Sequence, residues 1–261
     1  MGWKGMAIGG YIGSLFGGPL GAILGAVLGH KVEGAAFGHK PRRGVSYSSM
    51  SSRNRANLFC ASAAAMLAKM AKADGHVSRT EIASVENAFR RLGFTPAARR
   101  YAIDVFRKAK DDRHTIYEYA QEFAVAVDSV EVRELFYEIL WDIAGSDGHI
   151  SRTELLILQR IPRALGIRLD WYAYFASQRL GERFAGRSAS RDPLKEAYAV
   201  LGASAQDSVD ELKRKYRELA KKNHPDALRA QGLPEEMVGK ATERMSRINE
   251  AWTAIKEARG L

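Results

Sequence analysis

Apolar and polar positions divide this chain into three kinds of segment. From Gly5 to Gly29 no charged residue occurs, and Gly5, Gly9, Gly13, Gly17, Gly21, Gly25 and Gly29 recur every fourth position. Residues 58–180 instead alternate apolar runs such as LFCASAAAMLAKMA with charged stretches at helical spacing. Residues 193–261 predict three helices: a short one closed by Tyr198, Leu201 and Gly202, a second over 207–223 and a third over 235–258. In the second, Leu212, Tyr216, Leu219 and Ala220 fall at i, i+4, i+7 and i+8, one stripe suited to a core. Met245, Ile248, Ala251, Trp252 and Ile255 make the matching stripe in the third. Strand-like alternation is scarce, so the expected fold class is all-α.

The first segment reads as a membrane helix. Its uncharged stretch is about 37 Å long as a helix, against a hydrocarbon core of roughly 30 Å that it crosses with some tilt. Glycines at four-residue spacing line one helical groove, where another backbone can approach closely; in water each would cost about 1 kcal/mol relative to Ala. Gly9, Gly13, Gly17, Gly21 and Gly25 are therefore the candidate helix-association residues, with lipid around them and a second copy of the chain as one candidate partner. A cleaved signal peptide would want a shorter apolar core and a small-residue cleavage site, and neither is clear. The competing arrangement is a helical hairpin broken at Gly17-Gly18-Pro19.

Charge adds an orientation. The formal net charge is +10, but residues 58–180 hold 17 basic and 16 acidic side chains, and 193–261 hold 13 and 11. Ahead of both, 31–57 carries six basic residues (Lys31, Lys40, Arg42, Arg43, Arg53, Arg55) against one acid, Glu33. A basic linker directly after an apolar segment suits anionic lipid, at about 1 kcal/mol per charge. A nucleic-acid binder would spread its charge over a folded face with interleaved aromatics, so no nucleic-acid partner is expected. Taken as a single pass, the segment has by the positive-inside rule its N-terminus outside and everything beyond residue 30 in the cytoplasm. The lone cysteine, Cys60, excludes an internal disulfide framework; it lies in an apolar helical run and is expected to be buried.

The middle of the chain repeats itself at a spacing of 73. Leu67, Met70, Ala71 and Asp74-Gly75-His76-Val77-Ser78-Arg79-Thr80-Glu81 recur as Leu140, Ile143, Ala144 and Asp147-Gly148-His149-Ile150-Ser151-Arg152-Thr153-Glu154. Each copy predicts helix, turn, helix, with Ser78/Glu81 and Ser151/Glu154 as capping boxes. The Asp-Gly…Glu spacing copies the second half of a calcium loop. The first half fails, because Met70, Lys72, Ile143 and Gly145 stand where carboxylates are needed. No metal or other cofactor is expected; a site shared between the repeats would use Asp74, Glu81, Asp147 and Glu154.

His224-Pro225-Asp226 ends the basic second helix, whose surface carries Lys213, Arg214, Lys215, Arg217, Lys221 and Lys222. By itself the tripeptide is no more than a helix stop, since Pro cannot continue a helix. Together with Tyr198-x-x-Leu201-Gly202 upstream, Tyr216, and Ile248-Asn249-Glu250-Ala251-Trp252 beyond, it resembles a J domain, the module by which DnaJ-type co-chaperones stimulate the ATPase DnaK. The stretch ALRAQGLPEEM (227–237) resembles one subgroup, the membrane-anchored DjlA family. The repeat resembles a TerB-like all-α domain, which forms the middle of such proteins. Met245 departs from the J pattern, standing where Phe is usual. One cysteine cannot build the four-Cys zinc repeats of full-length DnaJ.

The resemblance implies an organisation: 1–30 glycine-zipper membrane segment, 31–57 basic linker, 58–180 TerB-like domain, 181–192 linker, and 193–261 J-domain hairpin. It implies a bacterial inner-membrane co-chaperone that is not an enzyme and binds DnaK through His224, Pro225 and Asp226, with the six basic residues of the second helix steering the acidic partner. The competing functional readings are a membrane scaffold or an envelope-stress or metal-responsive sensor working mainly through the TerB-like domain.

Overall fold

The computed structural model describes residues 19–21, 51–73, 79–145, 150–167, 192–231 and 233–261. These residues are helical with turns and no strand, arranged as two compact units.

Among the described residues the first unit holds six main helices: α1 (Ser52–Ala73), α2 (Arg79–Arg91), α3 (Pro96–Ala109), α4 (Ile116–Ala126), α5 (Val130–Ala144) and α6 (Arg152–Leu165). Helix α1 touches each of the other five. Its composition explains why: from Leu58 to Ala68 every residue is buried, and most are Ala, Ser or Cys. A helix apolar all round belongs inside a fold, and small side chains let neighbouring helices approach. Cys60 lies among them, fully buried, its thiol against the Ala98 carbonyl. Larger rings close the centre: Phe123 stacks on Phe136 at 4.0 Å, and Phe59 meets both edge-on at 5.3 Å.

The repeat appears as α1–α2 and α5–α6, with α3 and α4 between the copies. In the second copy Ser151 accepts the Glu154 N–H, and Glu154 in turn accepts from Ser151 N–H, the expected capping box. Ser78 lies outside the described residues. At the far end of α6, Gly166 adopts φ +60°, and the Arg133 guanidinium donates to the Leu165 carbonyl at 2.8 Å, capping the helix C-terminus. Burial lowers the Arg133 pKa despite the nearby Asp128, Glu131 and Glu134.

A polar knot joins α1, α4 and the turn after α3. The Asp112 carboxylate takes the Tyr119 hydroxyl and the His114 ring nitrogen at 2.6 Å each, and the His114 backbone N–H at 3.1 Å. The Lys69 ammonium donates to the main-chain carbonyl of Asp112. Burial by itself would raise the Asp112 pKa, but the hydrogen bonds from Tyr119 and His114 outweigh it and hold the carboxyl at about 2.

Of the apolar N-terminal segment, residues 19–21 are described; they are helical, and Leu20 and Gly21 are buried. Their backbone N–H groups donate to the Glu122 carboxylate on α4, at 2.6 and 3.4 Å. Gly9, Gly13, Gly17 and Gly25 lie outside the described residues. Among the described residues no helix is long and apolar enough to cross a membrane.

The second unit is built from α7 (Pro193–Val200), α8 (Val209–Asn223), α9 (Pro225–Ala230) and α10 (Val238–Arg259), the last preceded by a 3-10 turn at Glu235–Met237. Ala197, Tyr198, Leu201, Leu212, Ile248, Ala251 and Ile255 form its core, with Tyr216, Leu219 and Trp252 packed against it. The two stripes legible in the sequence thus meet face to face. Tyr216 and Trp252 stack at 5.0 Å, and the Tyr216 hydroxyl reaches Asn249 at 3.2 Å.

Candidate functional site

The tripeptide occupies the joint between α8 and α9. Helix α8 starts at a capping box made by Ser208 and Glu211 and ends at Asn223, which is buried. The Asn223 amide donates to the Leu219 carbonyl at 2.9 Å, closing the last turn. Pro225 cannot extend that helix, yet it is well suited to begin another. His224 is both the C-cap of α8 and the N-cap of α9: its ring Nδ1 accepts the Asp226 N–H at 3.2 Å. That bond needs a bare Nδ1 lone pair, so the capping form of His224 carries its proton on Nε2.

The tripeptide predicts a joint here, and the structure adds a helix, α9, directly after it. Its signals were present: Pro at the first helical position, an acid in the first turn and a cation in the last. Short length hid it, because six residues show no periodicity. Leu228 anchors α9; it is fully buried, and α9 lies against both α8 and α10. His224 and Asp226 face outward, their side chains 55% and 74% exposed. One side-chain oxygen of Asp226 is held by the Arg229 guanidinium at 2.6 Å.

The six candidate cations of α8 divide into two sets. Lys215 is committed inward: its ammonium binds Asp207 at 2.6 Å and the Gly202 carbonyl at 2.9 Å. The Lys215 hydrogen bond and that from Ser204 N–H lower the Asp207 pKa. Arg259, near the end of α10, joins the same corner by donating to the Tyr198 hydroxyl at 2.8 Å and to the Ala205 and Asp207 carbonyls. Arg214 pairs with Glu218 one turn on, both exposed. Lys213, Arg217, Lys221 and Lys222 form no ion pair among the described residues, and Arg217, Lys221 and Lys222 are exposed. At 100° per residue, Lys213, Arg217 and Lys221 share the face that leads to His224. The arrangement is a basic helical ridge ending in one presented carboxylate.

Of the four residues considered for a metal, Asp74 and Asp147 and the side chain of Glu81 lie outside the described residues. Glu154 is engaged in its capping box. Among the described residues no group of three metal-ligating side chains converges.

Comparison with known proteins agrees with this geometry. Residues 61–173 match the family model described as tellurite resistance protein TerB, and residues 196–259 match the DnaJ domain. The chain is 32% identical to the co-chaperone protein DjlA of Shewanella oneidensis over 239 residues, covering 87% of this chain and 89% of that one. It is 31% identical to the DjlA of Vibrio cholerae, covering 81% of each chain. Against the DjlA of Escherichia coli K12 it is 30% identical, covering 80% of this chain and 82% of that one. No solved structure matches it. With a TerB unit followed by a DnaJ unit, and relatives of one kind aligned over most of its length, the chain belongs to the DjlA family of DnaJ-type co-chaperones.

Proposed function

We propose that this chain stimulates ATP hydrolysis by a DnaK-type chaperone, docking through the exposed His224-Pro225-Asp226 joint and holding its partner at the cytoplasmic face of a bacterial inner membrane. The observation that carries this reading is the fixed presentation of the tripeptide: His224 caps a helix whose burial at Leu228 leaves Asp226 facing solvent beside a basic ridge. Lys213, Arg217, Lys221 and Lys222 would steer an acidic partner face. Asp226 would accept a charge-assisted hydrogen bond from a partner cation, roughly twice as strong as a neutral one. Lys215 and Arg214 contribute field but are tied within the unit. The chain supplies no reacting group; it favours the partner's hydrolytic conformation by binding it.

The proposed organisation keeps 1–30 as the membrane segment, 31–57 as its basic linker, 58–180 as the TerB-like domain, 181–192 as a second linker and 193–261 as the J domain. Lipid is then the partner of the first two, and a second copy of the chain is a partner of the glycine groove. The deciding measurement is ATP hydrolysis by a DnaK protein with the full chain and with its His224→Gln variant. Wild type should accelerate turnover and the variant should not, with circular dichroism unchanged. Equal stimulation by both would end the co-chaperone reading.

A further inference from the structure

Residues 225–230 do more than follow the tripeptide, because they set where its carboxylate points. Pro225 and Asp226 are the first two residues of α9, and Arg229 sits one turn further along the same short helix. Arg229 Nη1 lies 2.6 Å from Asp226 Oδ1. The other oxygen, Oδ2, lies 3.8 Å from the His224 ring nitrogen. A carboxylate offers about four lone-pair directions, so one guanidinium on Oδ1 leaves Oδ2 open to a second donor. The buried Leu228 fixes how α9 is rolled against its neighbours. That roll sets the Cα–Cβ directions of Asp226 and Arg229 and leaves the rotamers of both to the contact between them.

We infer that Arg229 is a positioning residue for docking, which holds Asp226 in one rotamer with Oδ2 presented to a cation of the partner ATPase. The inference rests on the docking reading above and adds a specificity determinant to it. An unrestrained Asp226 would sample several staggered rotamers, and ordering such a side chain on binding weakens affinity. Loss of the Arg229 restraint should raise the concentration of chain needed for half-maximal stimulation about three- to tenfold. The maximal rate should not change, because the bound complex is the same. A guanidinium that instead competed with the partner for Asp226 would have the opposite effect.

The test uses the full chain with a DnaK protein, comparing wild type, Arg229→Gln, Arg229→Lys, Asp226→Asn and the Arg229→Gln/Asp226→Asn double variant. Stimulated ATPase gives half-saturation and maximal rate, and equilibrium binding to the immobilised chaperone gives affinity. Expected are a raised half-saturation with unaltered maximal rate for Arg229→Gln, and partial recovery in Arg229→Lys, which keeps a cation but not the planar fork. Affinity should fall no further when Arg229→Gln is added to Asp226→Asn. An unchanged or lowered half-saturation in Arg229→Gln, with Asp226→Asn still impaired, overturns the positioning role and leaves the docking reading standing. Additive losses in the double variant also overturn it, since Arg229 would then touch the partner directly. A fully active Asp226→Asn overturns both readings.

Discussion

Asp112 offers the sharpest quantitative test of the first unit. Three donors converge on one of its oxygens, and the Tyr119 ring that supplies the first is itself fully buried. Asp112→Asn keeps the shape and one carbonyl acceptor but removes the charge. With the carboxyl held at about 2 in the fold and an ordinary value near 3.9 in the unfolded chain, linkage gives an upper figure of about 2.6 kcal/mol. Side-chain exposure of 21% lets solvent screen part of that, so a loss of about 1–2 kcal/mol is the working expectation. For a unit of this size that corresponds to a melting temperature lower by roughly 4–8 °C at pH 7.

The sign follows from the direction of the shift. A depressed carboxylate contributes its full stability above the unfolded value and loses it as pH falls through the folded one. The gap between wild type and Asp112→Asn should therefore be fully open at pH 7, narrow below about pH 4 and nearly close near pH 2. Thermal unfolding of the full chain measures the gap, and hydrogen exchange of α3 and α4 peptides assigns it to this unit. A gap of the same size at pH 3 and pH 7 would refute the charge argument; no gap at pH 7 would refute the knot itself.

Two further outcomes follow. Lys215→Ala should lower the stability of the second unit, because it strips Asp207 and the Gly202 carbonyl of a donor, whereas Lys221→Ala should spare stability and weaken chaperone binding, most clearly at low salt, since exposed charges are screened over about 10 Å at 0.1 M; equal effects of both on binding and none on unfolding would place Lys215 on the docking face instead. In the proposed membrane segment, replacing Gly9, Gly13 and Gly17 with Leu should preserve insertion and reduce self-crosslinking by filling the groove, and undiminished crosslinking would exclude that groove as a self-association face.

Much of this molecule was written in residue patterns that act locally. Helical spacing at Leu212, Tyr216 and Leu219 and at Ile248, Ala251 and Ile255 dictated two facing helices, because each stripe must be buried against something apolar. Ser151 and Glu154 specified a helix start through bonds spanning three residues, and His224-Pro225-Asp226 marked a joint from the stereochemistry of proline. Tertiary structure decided what pattern cannot encode, namely which of several equivalent groups meets which. Six cations on α8 look alike in one dimension, and only the fold of the α7–α8 corner turns Lys215 inward onto Asp207 while leaving Lys221 in solvent. Asp112, His114, Tyr119 and Lys69 come from separate helices and a turn, so their convergence has no signature along the chain. Arg229 became visible as a partner of Asp226 only once the residues after Pro225 were helical, since a three-residue spacing brings two side chains together on a helix and separates them in an extended loop.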